Sequence, residues 1–241
     1  MDLGSNSVRL VVFEGASRNP VAIFNEKAVL GLGRGFLATG RLNEDAIAPA
    51  LTILARYGEV ARAMGAAPLE ILATAAMRDA ANGAAFADAV RELLPGVSLR
   101  ILTGREEAEM SADGVLLGFP RADGVLGDLG GGSLEVVDLA GGRAGAMESL
   151  PLGVIRLSER ANGDVARARA IAEEDLARLP WLAGGQGRDL FLVGGAWRAL
   201  AKVHMVQTNY PLSIVHHYVL RREEARDLCG VIAGLKRPAL E

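Results

Sequence analysis

Short stretches of apolar residues, rich in Val, Leu and Ile and bounded by Gly, Pro or Asn, recur along this chain of 241 residues. Stretches of this length and composition predict β-strands. They fall into two groups, one in each half of the chain. The predicted strands are residues 8–13, 21–30, 70–74 and 97–102, followed by residues 124–128, 134–138, 144–150 and 189–193.

Between these strands the apolar residues follow a helical period. Ile47, Leu51 and Leu54 lie three or four residues apart, and Asn43 before them is a favourable N-cap. These features predict a helix over residues 44–64. By similar reasoning, further helices are predicted over residues 82–94, 103–117, 163–179, 196–204 and 222–235, with a turn at residues 15–20 and a glycine-rich loop at residues 31–40.

The order of the elements predicts the fold class. In each half, strands come first and are followed by alternating helices and strands, which is typical of an α/β protein. We therefore expect two similar lobes, residues 1–120 and residues 121–241. The cleft between such lobes is the natural place for a ligand.

One short motif occurs twice, and each copy is followed by an apolar strand. Residues 2–7 read Asp-Leu-Gly-Ser-Asn-Ser, and residues 128–133 read Asp-Leu-Gly-Gly-Gly-Ser. A strand, a turn of small residues and a second strand form a hairpin that can bind phosphate. One such hairpin alone could be an ordinary glycine-rich turn, but repetition favours two phosphate-binding loops.

The residues of each loop suggest distinct roles. Backbone amides can approach phosphate oxygens closely where no side chain intervenes. The acidic residue of each loop would repel phosphate and is better suited to hold a hydrated metal ion or the attacking water. The amide donors are Gly130, Gly131 and Gly132, the side-chain donors are Ser5, Asn6, Ser7 and Ser133, and the acidic residues are Asp2 and Asp128.

The first copy of the motif has an unusual start. Residues 124–127 lead into Asp128, whereas only Met1 precedes Asp2. A hairpin needs two arms, so the first strand of the first hairpin is expected to be shortened.

Two glutamates are candidates for chemistry. Thr103 and Glu106 form a predicted capping box, which leaves the adjacent Glu107 available. Both could instead be ordinary acidic residues at a helix N-terminus. Glu135 follows the second loop where the first copy has Arg9, and it could point either into the cleft or to solvent. If they face the cleft, Arg9 would bind phosphate and Glu135 would orient metal or water.

Two further positions could contact phosphate. Arg78 follows a predicted strand within a run of small residues and could bind a phosphate with two nitrogens, or simply pair with Asp79. Gly195 lies at a strand-to-helix transition whose amides could hold a phosphate or form a plain tight turn.

Composition restricts the class of protein. The net charge of −3 argues against a general nucleic-acid or membrane-surface binder, which would carry a basic face. Cys229 is the only cysteine, so an intrachain disulfide is excluded and a cytoplasmic location is expected. The apolar stretches are too short to predict a membrane span.

Five motifs together resemble a known family. In order, they are residues 2–7, 73–78, 103–108, 128–135 and 193–195. Their joint occurrence is similar to the exopolyphosphatase/guanosine pentaphosphate phosphatase family, within the actin-like ATPase superfamily. The resemblance implies two ribonuclease-H-like lobes with a cleft for a phosphate chain.

The resemblance also implies roles for individual residues. Glu107 matches the catalytic glutamate, a general base, while Asp128 and Glu135 match acidic residues that handle metal and water. Arg78 and the two loops match phosphate-binding positions. The implied cofactor is Mg²⁺, held by Asp2, Asp128 and Glu135, the implied substrate is inorganic polyphosphate or guanosine pentaphosphate, and a homodimer is common in the family.

The implied reaction is hydrolysis of the terminal phosphoanhydride bond, and three alternatives stay open at this point. Polyphosphate and guanosine pentaphosphate present the same terminal anhydride to the loops. A non-catalytic sensor of either ligand would bind without turnover, although the intact acidic residues argue against it. A kinase of the same superfamily would need an adenosine pocket, for which the sequence gives no sign.

Overall fold

The strands of the first half form one mixed sheet. The computed structural model describes residues 1–15, 17 and 20–234. The strands of the first sheet are β1 (Asp2–Leu3), β2 (Ser7–Phe13), β3 (Ala22–Val29), β4 (Glu70–Ala73) and β5 (Ser98–Ile101). Their spatial order is β3-β2-β1-β4-β5. Neighbours are antiparallel from β3 to β1, while β4 runs parallel to both β1 and β5.

The second sheet repeats the order of the first. Its strands are β6 (Gly124–Leu129), β7 (Leu134–Ala140), β8 (Arg143–Leu150) and β9 (Asp189–Gly194). They are arranged as β8-β7-β6-β9, with an antiparallel meander from β6 to β8. Each sheet thus places the first strand of its meander beside a strand that arrives later in the chain. The predicted α/β class with two similar lobes is confirmed.

Most predicted helices are present with small shifts at their ends. Two short helices and one longer one were not predicted separately: α1 lies within the predicted glycine-rich loop, α3 contains the Arg78 motif, and α6 follows β8. The predicted turn at residues 15–20 and the predicted helix end at Leu235 reach residues outside those that the structure describes. The helices are α1 (Phe36–Thr39), α2 (Glu44–Ala63), α3 (Ala75–Asp79), α4 (Gly83–Leu93), α5 (Gly104–Gly118), α6 (Val154–Arg160), α7 (Val165–Ala177), a 3-10 turn (Pro180–Gly185), α8 (Gly195–Gln207) and α9 (Arg222–Gly234).

The chain divides into two compact units by contact. Residues Met1–Leu192 form the first, which includes both hairpins. The second begins at Val193 and contains α8 and α9. Within it, the hydroxyl group of Tyr218 lies 2.6 Å from Nδ1 of His204, and its ring packs edge-on against Tyr210. A lobe boundary at residue 120 stays a prediction.

No helix among the described residues combines the length and the apolar character needed to cross a membrane.

The core of the first sheet is built from alternating strand residues and one face of each covering helix. Val8 and Leu10 of β2 are fully buried. They share a cluster with Leu54 of α2 and Val90 of α4. Burial of aliphatic side chains on this scale is the main stabilising contribution to such a domain.

Helix α5 packs against the second sheet, although it precedes that sheet in the chain. It contacts β7 and β8, and its buried residues Ala108 and Ala112 lie one turn apart. One turn earlier, a β-carbon at Gly104 would lie 2.6 Å from the β-carbon of Ser149 in β8. This row of small residues lets α5 pack closely against β8. The same packing brings the helix into contact with β7, the neighbouring strand.

Two helical glycines differ in the space around them. A β-carbon at Gly83, the first residue of α4, would lie 2.0 Å from the carbonyl oxygen of Met77. A β-carbon at Gly114 in α5 would contact nothing within 4 Å. The first glycine therefore permits the tight junction between α3 and α4, while the second has no packing role of this kind.

These surroundings predict opposite effects of one substitution. Gly83→Ala should lower the free energy of unfolding by about 1–3 kcal/mol, because the backbone must shift to avoid the carbonyl. Gly114→Ala should raise the free energy of unfolding by about 0.5–1 kcal/mol, because alanine has a higher helix propensity than glycine at an exposed position. Urea denaturation followed by circular dichroism measures both. A stable Gly83→Ala variant would contradict the packing at this junction.

Candidate active site

The two copies of the repeated motif have the same backbone geometry. Asp2 pairs with Arg9 across the first hairpin, and Asp128 pairs with Glu135 across the second. Each turn is closed by one hydrogen bond of 3.0 Å. In the first turn the amide of Gly4 donates to the carbonyl of Ser7, and in the second the amide of Gly130 donates to the carbonyl of Ser133. Arg9 and Glu135 therefore occupy the same position in the two hairpins, as the sequence predicted.

The carbonyl groups of both loops are bound from behind. In the first loop, the carbonyl of Asn6 accepts two amides at 2.9 Å, from Leu30 and Gly31, and that of Ser5 accepts the amide of Gly33 at 2.7 Å. In the second loop, the carbonyls of Gly130 and Gly131 accept amides from the start of α6. With their carbonyls engaged, the loops hold a fixed conformation.

The amides of the loop tips remain available as donors. Those of Ser5, Asn6, Gly131 and Gly132 donate no hydrogen bond within the described residues. A run of unengaged amides in a tight turn attracts anions. The loops therefore have the donors that the sequence predicted for phosphate.

The glycines of the second loop also allow the two loops to touch. A β-carbon at Gly132 would lie 2.5 Å from Oγ of Ser5, and one at Gly131 would lie 3.2 Å from the β-carbon of Asn6. A further glycine, Gly153 at the start of α6, lies against the back of the same loop. A β-carbon there would lie 2.3 Å from the backbone nitrogen of Ser133. Gly153 was not predicted, because its role depends on this contact.

Glu107 lies in the first turn of α5 and is available because its neighbour forms the cap. The predicted capping box is confirmed: the backbone amide of Thr103 donates to Glu106 Oε2 at 2.8 Å, and the amide of Glu106 donates to Thr103 Oγ1 at 3.2 Å. The side chain of Glu107 is only 11% exposed. Its Oε2 accepts a hydrogen bond of 2.5 Å from Nη1 of Arg78.

Several carboxylates share this region, and burial is the largest cause of their raised pKa values. Burial raises the pKa of Glu107 from 4.5 to about 7, with a further contribution from the charge of Glu135 and opposition from Arg78. Burial also raises the pKa of Glu135, which is 4% exposed. Partial removal from water raises the pKa of Asp2, and the charge of Asp128 acts in the same direction. The cluster therefore holds negative charge that its neighbours compensate only in part.

Two serines that the sequence reasoning missed hold the acidic residues in place. Ser111 donates a hydrogen bond of 2.5 Å to Asp128 Oδ2, and Ser149 donates one of 2.8 Å to Glu135 Oε1. Ser111 is one helical turn after Glu107, and Ser149 is directly opposite Glu135 in the β7–β8 register. These spacings were visible in the sequence once Glu107 and Glu135 were chosen.

The other predicted residues lie in less central places. Nε of Arg9 donates to Asn25 Oδ1 at 2.7 Å, so its guanidinium is directed along the first sheet. Ser7 begins β2 behind the first loop, and Ser133 hydrogen bonds to Glu135. Gly195 begins α8 in the unit that starts at Val193.

The acidic residues suit a metal ion that also binds phosphate. Within residues 1–15, 17 and 20–234, no group of three or more His, Cys, Asp or Glu side chains could hold a metal alone. Mg²⁺ commonly binds through one or two carboxylates, with phosphate oxygens and water completing its octahedron. Asp128 and Glu135, neighbours in the β6–β7 register, provide such a pair.

An open cavity of about 430 Å³ lies beside the pair formed by Arg78 and Glu107. Its volume is sufficient for a ligand of several phosphate groups. Its lining residues are Arg78, Gly104, Arg105, Met147, Glu148 and Ser149.

A family model and a relative both match most of this chain. The model of the Ppx/GppA phosphatase family matches residues 11–240. Exopolyphosphatase 2 of Mycobacterium tuberculosis is 31% identical over 255 residues, covering 98% of this chain and 80% of that protein.

Solved structures show the same fold. An exopolyphosphatase from Cytophaga hutchinsonii superposes with a TM-score of 0.87 at 22% identity, over 99% of this chain and 80% of that one. The Ppx/GppA family member of Aquifex aeolicus gives a TM-score of 0.76 at 24% identity, over 97% and 78% of the two chains. The family model and the mycobacterial relative confirm the family expected from the five sequence motifs: this chain belongs to the Ppx/GppA phosphatase family.

Proposed function

We propose that this chain hydrolyses the terminal phosphoanhydride bond of inorganic polyphosphate and releases orthophosphate. The observation that carries the proposal is the buried carboxylate of Glu107, with a pKa of about 7, held by Arg78 in a site that includes two loops with unengaged amides. The name of the mycobacterial relative, an exopolyphosphatase, supports polyphosphate as the substrate.

Glu107 is the proposed general base. A base with a pKa near neutrality is ionised at working pH and still accepts a proton readily. Arg78 binds Oε2, while Oε1 accepts no hydrogen bond from the described residues and can face water. In the proposed step the water oxygen bonds to the terminal phosphorus, the bridging P–O bond breaks, and Glu107 takes the proton of the water. The shortened chain leaves as an anion.

The loops and Arg78 stabilise the charge of the reacting phosphate. The amides of Ser5, Asn6, Gly131 and Gly132 donate to the phosphoryl oxygens from both sides of the cleft. Donors fixed before the reaction are effective because they need not reorganise as charge develops. Arg78 lines the cavity and can contact the phosphate while it orients Glu107.

Mg²⁺ is the proposed cofactor, with Asp128 and Glu135 as its protein ligands and Asp2 nearby. The raised pKa values of Asp2 and Glu135 support this assignment, because a cation would relieve the repulsion that contributes to them. When bound, Mg²⁺ would neutralise negative charge on the phosphate oxygens. Formation of a homodimer stays a prediction.

The base assignment predicts a selective loss of turnover. Glu107→Gln should lower phosphate release from long-chain polyphosphate by about 100- to 10,000-fold, because the proton acceptor is lost, while polyphosphate binding persists in calorimetry. Glu173→Gln is the matched control, since Glu173 pairs with Arg169 on the exposed surface of α7. Full turnover in Glu107→Gln would exclude Glu107 as the base.

Guanosine pentaphosphate provides the test of substrate in the same assay. At equal enzyme concentration, phosphate release from polyphosphate should exceed release from guanosine pentaphosphate. The reverse order would replace polyphosphate by the nucleotide as the substrate without altering the role of Glu107.

The pKa of Glu107 predicts how the rate depends on pH. The ionised form is the base, so kcat/KM should rise with pH around a midpoint near 7 and be about tenfold lower at pH 6 than at its plateau. Arg78→Gln should move the midpoint upward, because Arg78 opposes the rise in the pKa. The test range extends from pH 5.5 to 8.5, about 1.5 units on either side of the expected midpoint. A value of kcat/KM that stays constant over this range would contradict the role of Glu107 as the base.

The metal assignment predicts loss and recovery of activity. Chelation should abolish phosphate release, and added Mg²⁺ should restore it. Glu135→Gln should raise the Mg²⁺ concentration needed for half-maximal rate by about 10- to 100-fold, whereas Glu59→Gln, in a surface pair with Arg62, should not change it. Full activity in the presence of excess chelator would refute the cofactor.

A further inference from the structure

Asp79, the last residue of α3, lies between two arginines and binds both. Its Oδ1 accepts a hydrogen bond of 3.1 Å from Nε of Arg78, and its Oδ2 accepts one of 2.7 Å from Nη2 of Arg156. Each carboxylate oxygen therefore has its own cation. The side chain of Asp79 is 27% exposed and that of Arg156 only 16%, so these charge-assisted bonds are partly shielded from water.

The bond to Asp79 fixes the direction in which Arg78 points. Arg78 uses Nε for Asp79, while its Nη1 donates to Glu107 Oε2 at 2.5 Å and to the carbonyl of Leu102 at 2.9 Å. A planar guanidinium held at Nε and at one terminal nitrogen cannot rotate about its long axis. Asp79 therefore determines the orientation from which Arg78 binds Glu107.

Arg156 connects this pair of residues to the second loop. It lies in α6, whose first amides donate to the carbonyls of Gly130 and Gly131. Its guanidinium also lies over the ring of Phe36, 4.8 Å from the centroid. The position of Arg156 is thus fixed by the same backbone that fixes the loop.

We infer that Asp79 is a positioning residue, which aligns Arg78 on Glu107 and is itself held by Arg156. The continuous series Glu107–Arg78–Asp79–Arg156 joins the proposed base to the helix behind the second loop. This inference rests on the proposed function for its catalytic consequence, and on the hydrogen bonds alone for its structural part.

The kinetic test compares one substitution in two backgrounds. Asp79→Asn keeps the shape and removes the charge, and should lower kcat for polyphosphate by about 100-fold with KM little changed. In an Arg78→Gln background the same substitution should change kcat by less than about twofold, because the residue it positions is gone. Asp79→Glu, which keeps the charge, should recover most of the rate.

Two further variants complete the kinetic arm. Arg156→Gln should lower kcat and add nothing to Asp79→Asn. Asp88→Asn is the matched control, because Asp88 pairs with Arg91 on the exposed surface of α4; its kcat should equal that of the unaltered chain. An effect of Asp79→Asn that persists in full in the Arg78→Gln background overturns the positioning role, and an unchanged kcat in Arg156→Gln overturns the role of Arg156.

A spectroscopic measurement tests whether Asp79 holds Arg78, and it does not depend on turnover. In ¹⁵N-labelled protein the Nε–H signal of Arg78, identified by its loss in Arg78→Gln, should exchange slowly with water. Asp79→Ala, which removes the acceptor, should abolish this protection, and Asp88→Ala should leave it intact. Retained protection in Asp79→Ala overturns the inference. Absence of phosphate release from the unaltered chain would instead refute the proposed function, and the exchange data would still decide the role of Asp79.

Discussion

The close approach of the two glycine-containing loops is the constraint on which the rest of the site depends. Gly132 lies so near Ser5 that a single added carbon would overlap the serine hydroxyl. The carbonyls behind each loop are occupied by amides from residues 30–33 and from α6, so neither loop can retreat without breaking hydrogen bonds. This contact fixes the distance between the two sheets. That distance in turn lets Arg78, which follows β4 of the first sheet, reach Glu107 on α5, the helix that packs against the second sheet.

Burial of several acids in one place has an electrostatic cost that the protein offsets unevenly. The central carboxylates have donors of different kinds: Arg78 for Glu107, Ser133 and Ser149 for Glu135, and Ser111 for Asp128. A serine satisfies hydrogen-bonding capacity without neutralising charge, whereas an arginine does both. Glu107 is therefore held by a cation, whereas the hydrogen bond from Ser149 leaves the charge of Glu135 in place.

Sequence reasoning recovered what depends on local patterns and missed what depends on tertiary contacts. The correspondence of Arg9 with Glu135 followed from the repeat, and the capping box correctly separated Glu106 from Glu107. Gly153, the bond between Asp79 and Arg156, and the whole of α6 were not predicted. None has a periodic or motif signal. Their roles arise from contacts with distant parts of the chain, such as the bond between Asp79 and Arg156, which are 77 positions apart.

The raised pKa of Glu107 links proton uptake to folding. The pKa of this carboxyl is 4.5 in the unfolded chain and about 7 in the native state. At a pH between these two values, Glu107 therefore takes up a proton when the protein folds. Stability from this group is full below pH 4.5, declines as pH rises towards 7, and stays low above it. The ionised form needed for hydrolysis is thus the form that the fold disfavours. In mild acid the contribution of Glu107 to stability is larger and its carboxyl cannot act as a base, while at neutral pH both effects are reversed.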